Sequence, residues 1–160
     1  MSMGEGPTLS DTVATVLALD RAHAVVARHL GRALAPWRMS WAQALSLLVL
    51  SDSEEPLAAT RLVERLGLGR TAMTSVVDRL ARRGWVTRHP SIADRRMMEV
   101  QLTAEGRTLA AALRPALERA AVAVFTPLTL AELIDWRAGV ERLATAARAT
   151  LASRDSEMQR

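Results

Sequence analysis

The stretch Leu57–Gly106 decides the fold; it reads LAATRLVERLGLGRTAMTSVVDRLARRGWVTRHPSIADRRMMEVQLTAEG. Its first part, Leu57–Leu68, has leucines on one face and predicts a short helix that Gly67 stops. A second predicted helix, Gly69–Arg83, carries apolar residues at i, i+3, i+4 and i+7, namely Met73, Val76, Val77 and Leu80. Because only Gly67-Leu68-Gly69 separates the two, the spacing is that of a helix-turn-helix.

A hairpin is predicted directly after these helices. Trp85–His89 has the composition of a strand, Ser91–Arg96 of a turn, and residues 97–102 alternate with period two. A hairpin at this place in the chain is a wing. Thr103 then caps a long helix over residues 104–125, in which Pro115 predicts a kink.

Helices are also predicted on both flanks. Apolar residues recur at helical spacing from Val13 to Leu34, with Thr8 or Ser10 as the cap and Pro36 as the stop. A capping box at Ser40–Gln43 begins a short apolar helix, and another at Thr129–Glu132 begins a last helix that is expected to end near residue 152. The predicted fold class is therefore mainly α (α+β), a winged helix-turn-helix between flanking helices.

Composition narrows the function classes. The chain has 160 residues, 49% of them hydrophobic and 24% charged, which is typical of a globular protein. It has no Cys, so thiol catalysis, disulfides and thiol-based sensing are excluded. We expect no membrane segment, because the longest apolar stretch, Ala42–Leu50, is too short to span a bilayer. With no secretory signal in the sequence, the expected location is cytoplasmic.

The positive charge is concentrated in the middle of the chain. All 21 basic residues are Arg, and the formal net charge is +4. Ten Arg and five acidic residues lie between Arg61 and Arg107, a net of +5, whereas the rest of the chain sums to −1. Such a segment is the expected footprint of a nucleic-acid site, although a solvated surface of ion pairs is as good an explanation on charge alone.

Three motifs together resemble the winged helix of the MarR family of transcriptional regulators. They are LVERLGLGRTAMTSVVDRLARRGWVTR, the wing motif Asp94-Arg95-Arg96 followed by Val100-Gln101-Leu102-Thr103, and Thr103-Ala104-Glu105-Gly106. The resemblance covers nearly the whole chain and implies a single domain, 1–160. It implies dimerisation helices over 8–35 and 104–152, and a DNA-binding lobe over 39–103 with its wing at 85–103. The implied assembly is a homodimer, which by its symmetry would bind a pseudo-palindromic operator.

The resemblance also assigns roles to single residues. The second helix of the motif would enter the major groove and the wing the minor groove. The predicted DNA-binding residues are Arg70, Thr71, Thr74, Ser75, Arg79, Arg82, Arg83, Arg95 and Arg96, with Asp94 shaping the wing. Arg82 and Arg83 are expected to serve phosphates or the helix dipole. Ala72 and Ser75 replace a Thr and an Arg that are frequent in the family, so readout is expected to depend more on the wing and on DNA shape.

The resemblance also implies a switch operated by a small-molecule effector, because many relatives in the family bind small aromatic anions. His23, Arg28, Trp37 and Trp41 combine aromatic walls with cations and are the candidate pocket for a small aromatic or phenolic ligand. The alternative is that the His and the Trp residues only pack. The expected function is thus a repressor released by an effector, and the alternative is a non-sensing architectural or partner-binding winged-helix protein. We expect no enzyme, no cofactor and no metal site, because no catalytic or ligand spacing is present.

Overall fold

The computed structural model describes residues 8–91, 94–95 and 97–158, which form six α-helices and one small sheet. The helices are α1 (Leu9–Ala33), α2 (Trp41–Ser51), α3 (Ala59–Leu66), α4 (Arg70–Arg82), α5 (Ala104–Phe125) and α6 (Leu130–Met158). The strands are β1 (Leu57–Ala58), β2 (Val86–Pro90) and β3 (Met98–Leu102). The predicted mainly α fold with a winged helix-turn-helix is confirmed. The chain divides into two compact units, one up to Ala121 and one from Val122.

Local side-chain caps fix where three helices begin. The Ser40 hydroxyl accepts from the Gln43 N–H at 3.3 Å, and Gln43 Oε1 accepts from the Ser40 N–H at 2.8 Å. Thr8 with Asp11 and Thr129 with Glu132 form the same reciprocal pair at α1 and α6. Because both carboxylates accept hydrogen bonds from their Thr partners, the pKa of Asp11 and that of Glu132 are lowered.

The sheet corrects one prediction. Leu57 and Ala58 were expected to begin a helix, but they form β1 and pair with Val100 and Glu99 of β3. The antiparallel order is β1-β3-β2, so β3 lies in the centre and also pairs with β2 in the wing. The pairing explains the difference, because two residues become a strand only through a partner about forty positions away.

The core of the first unit lies between α2, α3, α4, α5 and the sheet. Met73, Val76, Val77 and Leu80 are all buried, so the predicted inner face of α4 is confirmed. They pack in one cluster with residues of every neighbouring element, namely Leu34, Leu47, Leu50, Leu62, Val86, Val100, Leu102, Leu113 and Leu117. The core therefore holds α4 by one face and leaves the opposite face exposed.

The second unit consists of the end of α5, the turn after it and α6. The rings of Phe125 and Trp136 lie 5.8 Å apart and tilted by 46°. No described residue of α6 is buried, and the helix continues to Met158 rather than ending near residue 152. None of the helices in the described part of the chain is both long and apolar enough to cross a membrane.

Candidate nucleic-acid interface

The helix-turn-helix is set by two glycines. Gly67 ends α3 with a φ of 63°, the left-handed conformation that a glycine adopts without a Cβ penalty, and its N–H donates to the Val63 carbonyl at 2.9 Å. Gly69 then begins α4 in extended geometry. The chain thereby reverses within three residues, as the sequence predicts, and α4 emerges with its first residue, Arg70, exposed.

The predicted DNA-contacting residues of α4 lie on its exposed side. Arg70, Thr71, Thr74, Arg79 and Arg82 are exposed, and Ser75 is half-buried. Thr74 Oγ1 donates to the Arg70 carbonyl at 3.0 Å, and Arg79 Nη2 donates to Ser75 Oγ at 3.0 Å. Since α4 has 13 residues, this face is about 20 Å long, a length that fits a major groove.

Asp78 lies among these residues, and sequence reasoning did not assign it a role. Its Oδ1 accepts from Arg88 Nη1 of β2 at 2.5 Å, so the acidic group on α4 is neutralised by a wing strand. Both side chains are about two-fifths exposed, so the pair contributes little free energy by itself. Its main consequence is geometric, because it connects α4 directly to the strand that leads into the wing.

Arg83 is held by the segment before α2. Its Nη1 donates to the carbonyls of Trp37 and Arg38 at 3.3 and 3.1 Å, and its guanidinium lies 4.1 Å from the centre of the Trp85 ring. The predicted contact of Arg83 with phosphate remains a prediction. The structure adds that this side chain connects the end of α4 to Trp37 and Arg38.

The base of the wing is clamped to the end of α4. The Thr103 N–H donates to the Trp85 carbonyl at 3.1 Å, and Thr103 Oγ1 donates to the Gly84 carbonyl at 2.7 Å. The same hydroxyl accepts from the Gly106 N–H at 3.0 Å and so caps α5. A Cβ on Gly106 would lie 1.9 Å from the Trp85 oxygen, so this close approach requires glycine.

The wing itself is described in part. The Ser91 N–H donates to the Met97 carbonyl and the Met97 N–H to the Asp94 carbonyl, both at 2.8 Å. Asp94 is thus part of the turn that it was predicted to shape, and Arg95 is exposed next to it. Arg96, the predicted minor-groove residue, lies outside the described residues.

The predicted effector residues fall into two environments. His23 and Arg28 are exposed on α1, whereas Trp37 and Trp41 are half-buried and pack against the core. An apolar cavity of about 290 Å³ lies elsewhere, between α3, α4 and the sheet. Its apolar lining is Ala59, Val63, Met73, Val77, Met98 and Val100, and its polar lining is Thr60, Arg70, Thr74 and Arg88. The sequence alone could not predict this cavity, because its lining comes from four elements (α3, α4, β2 and β3) that only the tertiary structure brings together.

The described part of the chain has no cluster of side chains that could form a metal site. No group of three or more His, Asp or Glu side chains there is placed to hold a metal ion. The one His–carboxylate pair described, His89 Nδ1 with Glu99 Oε2, joins β2 and β3 at 3.7 Å. It is a cross-strand pair of the wing base.

Comparison with known proteins agrees with this geometry. A model of the MarR family matches residues 39–97, the segment from α2 into the wing. The regulator PecS of Dickeya dadantii (strain 3937) is 31% identical over 93 residues, which are 57% of this chain and 56% of PecS. The chain therefore spans about half the length of this curated relative.

Solved structures cover more of the chain. The structure of CouR of Rhodococcus jostii RHA1 bound to p-coumaroyl-CoA matches with a TM-score of 0.73 at 25% identity. The match covers 87% of this chain and 96% of the CouR chain. A mutant of Escherichia coli MarR complexed with operator DNA has a TM-score of 0.73 at 20% identity, with 86% and 99% covered. The second likeness shows the fold alone.

Proposed function

Because the chain belongs to the MarR family of winged-helix transcriptional regulators, we propose that it is a homodimeric, sequence-specific repressor that a small effector releases from DNA. The observation that carries the proposal is the exposed Arg- and Thr-bearing face of α4, held by one buried face between a tight turn and a clamped wing. A protein that acts on operator DNA in this way would work in the cytoplasm.

DNA recognition follows from the chemistry of the exposed groups. The guanidinium groups of Arg70 and Arg79 can bind guanine edges or phosphates with two parallel hydrogen bonds. The hydroxyls of Thr71 and Thr74 reach phosphates or base edges. Arg95 and Arg96 of the wing would read the width and potential of the minor groove, which depend on the DNA sequence although no base edge is contacted.

Dimerisation is supported by apolar side chains that a single chain leaves exposed. In α1, Leu9 is 81% exposed and Val16 60%; in the second unit, Leu130 is 73% exposed and Leu151 63%. Each is a large apolar group in water, and large apolar groups left exposed on a helix are typical of a surface that a partner covers. A two-fold dimer would present two α4 helices to half-sites about 34–36 Å apart.

Two effector positions are open to the proposal. The cavity between α3, α4 and the sheet offers an apolar interior with Arg70 and Arg88 in its lining, which suits a small aromatic anion. A ligand there would draw Arg70 and Thr74 away from DNA. The other position is the predicted set His23, Arg28, Trp37 and Trp41. That CouR was solved with p-coumaroyl-CoA supports an aromatic acyl or acid ligand class.

Selection of bound fragments from the genome that encodes the chain tests the DNA half of the proposal. We expect a pseudo-palindrome, whose neighbouring genes would suggest the effector. Failure to enrich any sequence would refute sequence-specific regulation.

Titration of aromatic acids tests the effector half. The chain has four Trp and no Tyr, so its emission comes from Trp, and binding near Trp37 or Trp41 changes it. An acid that dissociates the protein–DNA complex identifies the effector, and Arg88→Ala or His23→Ala then shows which position it occupies. If no compound shifts DNA binding, the non-sensing architectural alternative replaces the sensing role.

The proposal includes no catalysis and no cofactor. Its support is the chemistry of the exposed face of α4, whose Arg and Thr side chains suit contacts with phosphates and base edges. Turnover of any substrate by the purified protein would overturn this part.

A further inference from the structure

A cleft beside α4 brings three of the predicted DNA-contacting Arg residues together with Arg38, a residue to which no role has been assigned so far. It has a volume of about 530 Å³ and is lined by Arg38, Ser40, Gln43, Arg79, Arg82 and Arg83, which we call the arginine cleft. We propose that the arginine cleft binds a phosphodiester group of the DNA backbone and that Arg38, which lies outside the helix-turn-helix and the wing, is a DNA-binding residue. This inference rests on the proposed function and adds a contact to it.

The cleft is built by a contact between α4 and the segment before α2. Arg83 Nη1 donates to the main-chain carbonyls of Trp37 and Arg38, and the stacking of its guanidinium on Trp85 fixes its direction. Arg38 is thereby brought to the end of α4, although more than forty residues separate it from Arg83 in sequence. The donors of both elements face one space.

The backbone of Arg38 gives a second reason to assign it a role. Its φ of 49° and ψ of 48° are left-handed, and it is the only non-glycine residue with positive φ in the described part of the chain. Glycine or asparagine adopts this conformation at lower cost. An Arg kept in a conformation that it disfavours indicates that the side chain is needed there.

No carboxylate among the described residues compensates the charge of the arginine cleft. Its lining has four guanidinium groups and no carboxylate. Among the ion pairs of the described residues, none includes Arg38, Arg79, Arg82 or Arg83, and the neighbouring acid Asp78 pairs with Arg88 instead. Like charges gathered in one cleft repel each other unless an anion joins them, and a phosphate oxygen is the anion that Arg forks fit.

The test measures the salt dependence of binding by fluorescence anisotropy with the selected operator and with an unrelated duplex. Arg38→Asn removes the charge with a residue that tolerates left-handed geometry, and Arg38→Lys keeps the charge. Arg154→Asn, at an exposed helical position outside both the cleft and the predicted dimerisation helices, is the matched control. Thermal melting of each variant confirms that the fold is intact.

We expect Arg38→Asn to lower the slope of log affinity against log salt by about 0.9, the value of one phosphate contact. At 0.15 M salt this corresponds to about fivefold weaker binding. The loss is the same on both duplexes, because a phosphate contact carries no sequence information. Arg38→Lys restores the slope, and Arg154→Asn leaves it unchanged.

Three outcomes overturn the inference. The first is that the wild type and Arg38→Asn bind the operator with equal affinity and equal salt slope. Arg38 then makes no phosphate contact, and the proposed function stands. If the loss is confined to the operator, Arg38 reads a base instead of a phosphate. If inorganic phosphate at constant ionic strength binds the wild type but not Arg38→Asn, while DNA affinity is unchanged, the cleft takes a free anion. A wild type that binds no DNA at all instead refutes the proposed function.

Discussion

Replacing Gly106 with Ala sets two known effects against each other at one position. Alanine favours a helix over glycine by about 1 kcal/mol, so helix propensity alone predicts a more stable α5. The added Cβ, however, would lie 1.9 Å from the Trp85 oxygen and 2.9 Å from its carbonyl carbon. The obstacle is backbone, so it cannot be relieved by a side-chain rotation, and the carbonyl must retreat by about 1.5 Å to reach the ordinary contact distance of 3.4 Å.

The size of the net effect follows from what that retreat disrupts. The Trp85 carbonyl accepts from the Thr103 N–H at 3.1 Å, and Thr103 also holds Gly84 and Gly106. Overpacking against backbone costs about 3 kcal/mol, the upper part of the usual range. After the gain in propensity, we expect Gly106→Ala to destabilise the protein by about 2 kcal/mol.

The assay is urea denaturation followed by Trp emission, at one protein concentration for all variants because dimers unfold in a concentration-dependent way. A loss of about 2 kcal/mol also lowers the Tm by about 4–8 °C in a chain of this size. The matched control is Gly31→Ala in α1, where an added Cβ meets nothing within 4 Å. That variant is expected to gain up to about 1 kcal/mol. A Gly106→Ala protein as stable as the wild type, with Gly31→Ala stabilised, would refute the clamp.

Three further predictions concern DNA, assembly and pH. Arg96→Ala should weaken operator binding about fivefold at 0.15 M salt and lower the salt slope by about 0.9, and an unchanged slope in anisotropy would remove the wing from the mechanism. Leu133→Asp or Val140→Asp should abolish the dimer in sedimentation, because a charge at an apolar interface is not compensated; a variant that still sediments as a dimer contradicts this interface. The pKa of Glu132 is lowered by hydrogen bonds from Thr129, so its stabilisation of α6 is present at neutral pH and is lost as the pH falls through the folded-state value. Helicity measured by circular dichroism from neutral to about pH 3 should therefore fall more in the wild type than in Glu132→Gln. Glu141→Gln is the control. Identical pH profiles for Glu132→Gln and the wild type would rule out the cap.

What could be predicted from the sequence is what depends on neighbours along the chain. The capping boxes at Ser40 and Thr129 need only a residue three positions away, and the buried face of α4 needs only its own periodicity. Both were therefore predictable. The exposed Arg and Thr residues on the opposite face follow from the same periodicity.

The rest depends on partners distant in sequence. Leu57 and Ala58 have the composition of a helix start and become a strand only by pairing with β3. Arg83 resembles any surface Arg until the carbonyls of Trp37 and Arg38 are placed beside it. The left-handed conformation of Arg38 has no sequence signal, because the residue type there disfavours it. Conformation and contact at these positions are set by the tertiary structure.

The order β1-β3-β2 also has a consequence for how the chain acquires its structure during synthesis. The central strand, β3, is the last of the three to be synthesised, so β1 and β2 have no strand to pair with until it is made. The helix-turn-helix can gather by local contacts, but closing the sheet requires a loop of about forty residues between Ala58 and Glu99 to be ordered. A nascent chain stalled before Met98 would expose two unpaired strand edges, so the slow step in maturation of this lobe is expected to be the docking of β3 between them.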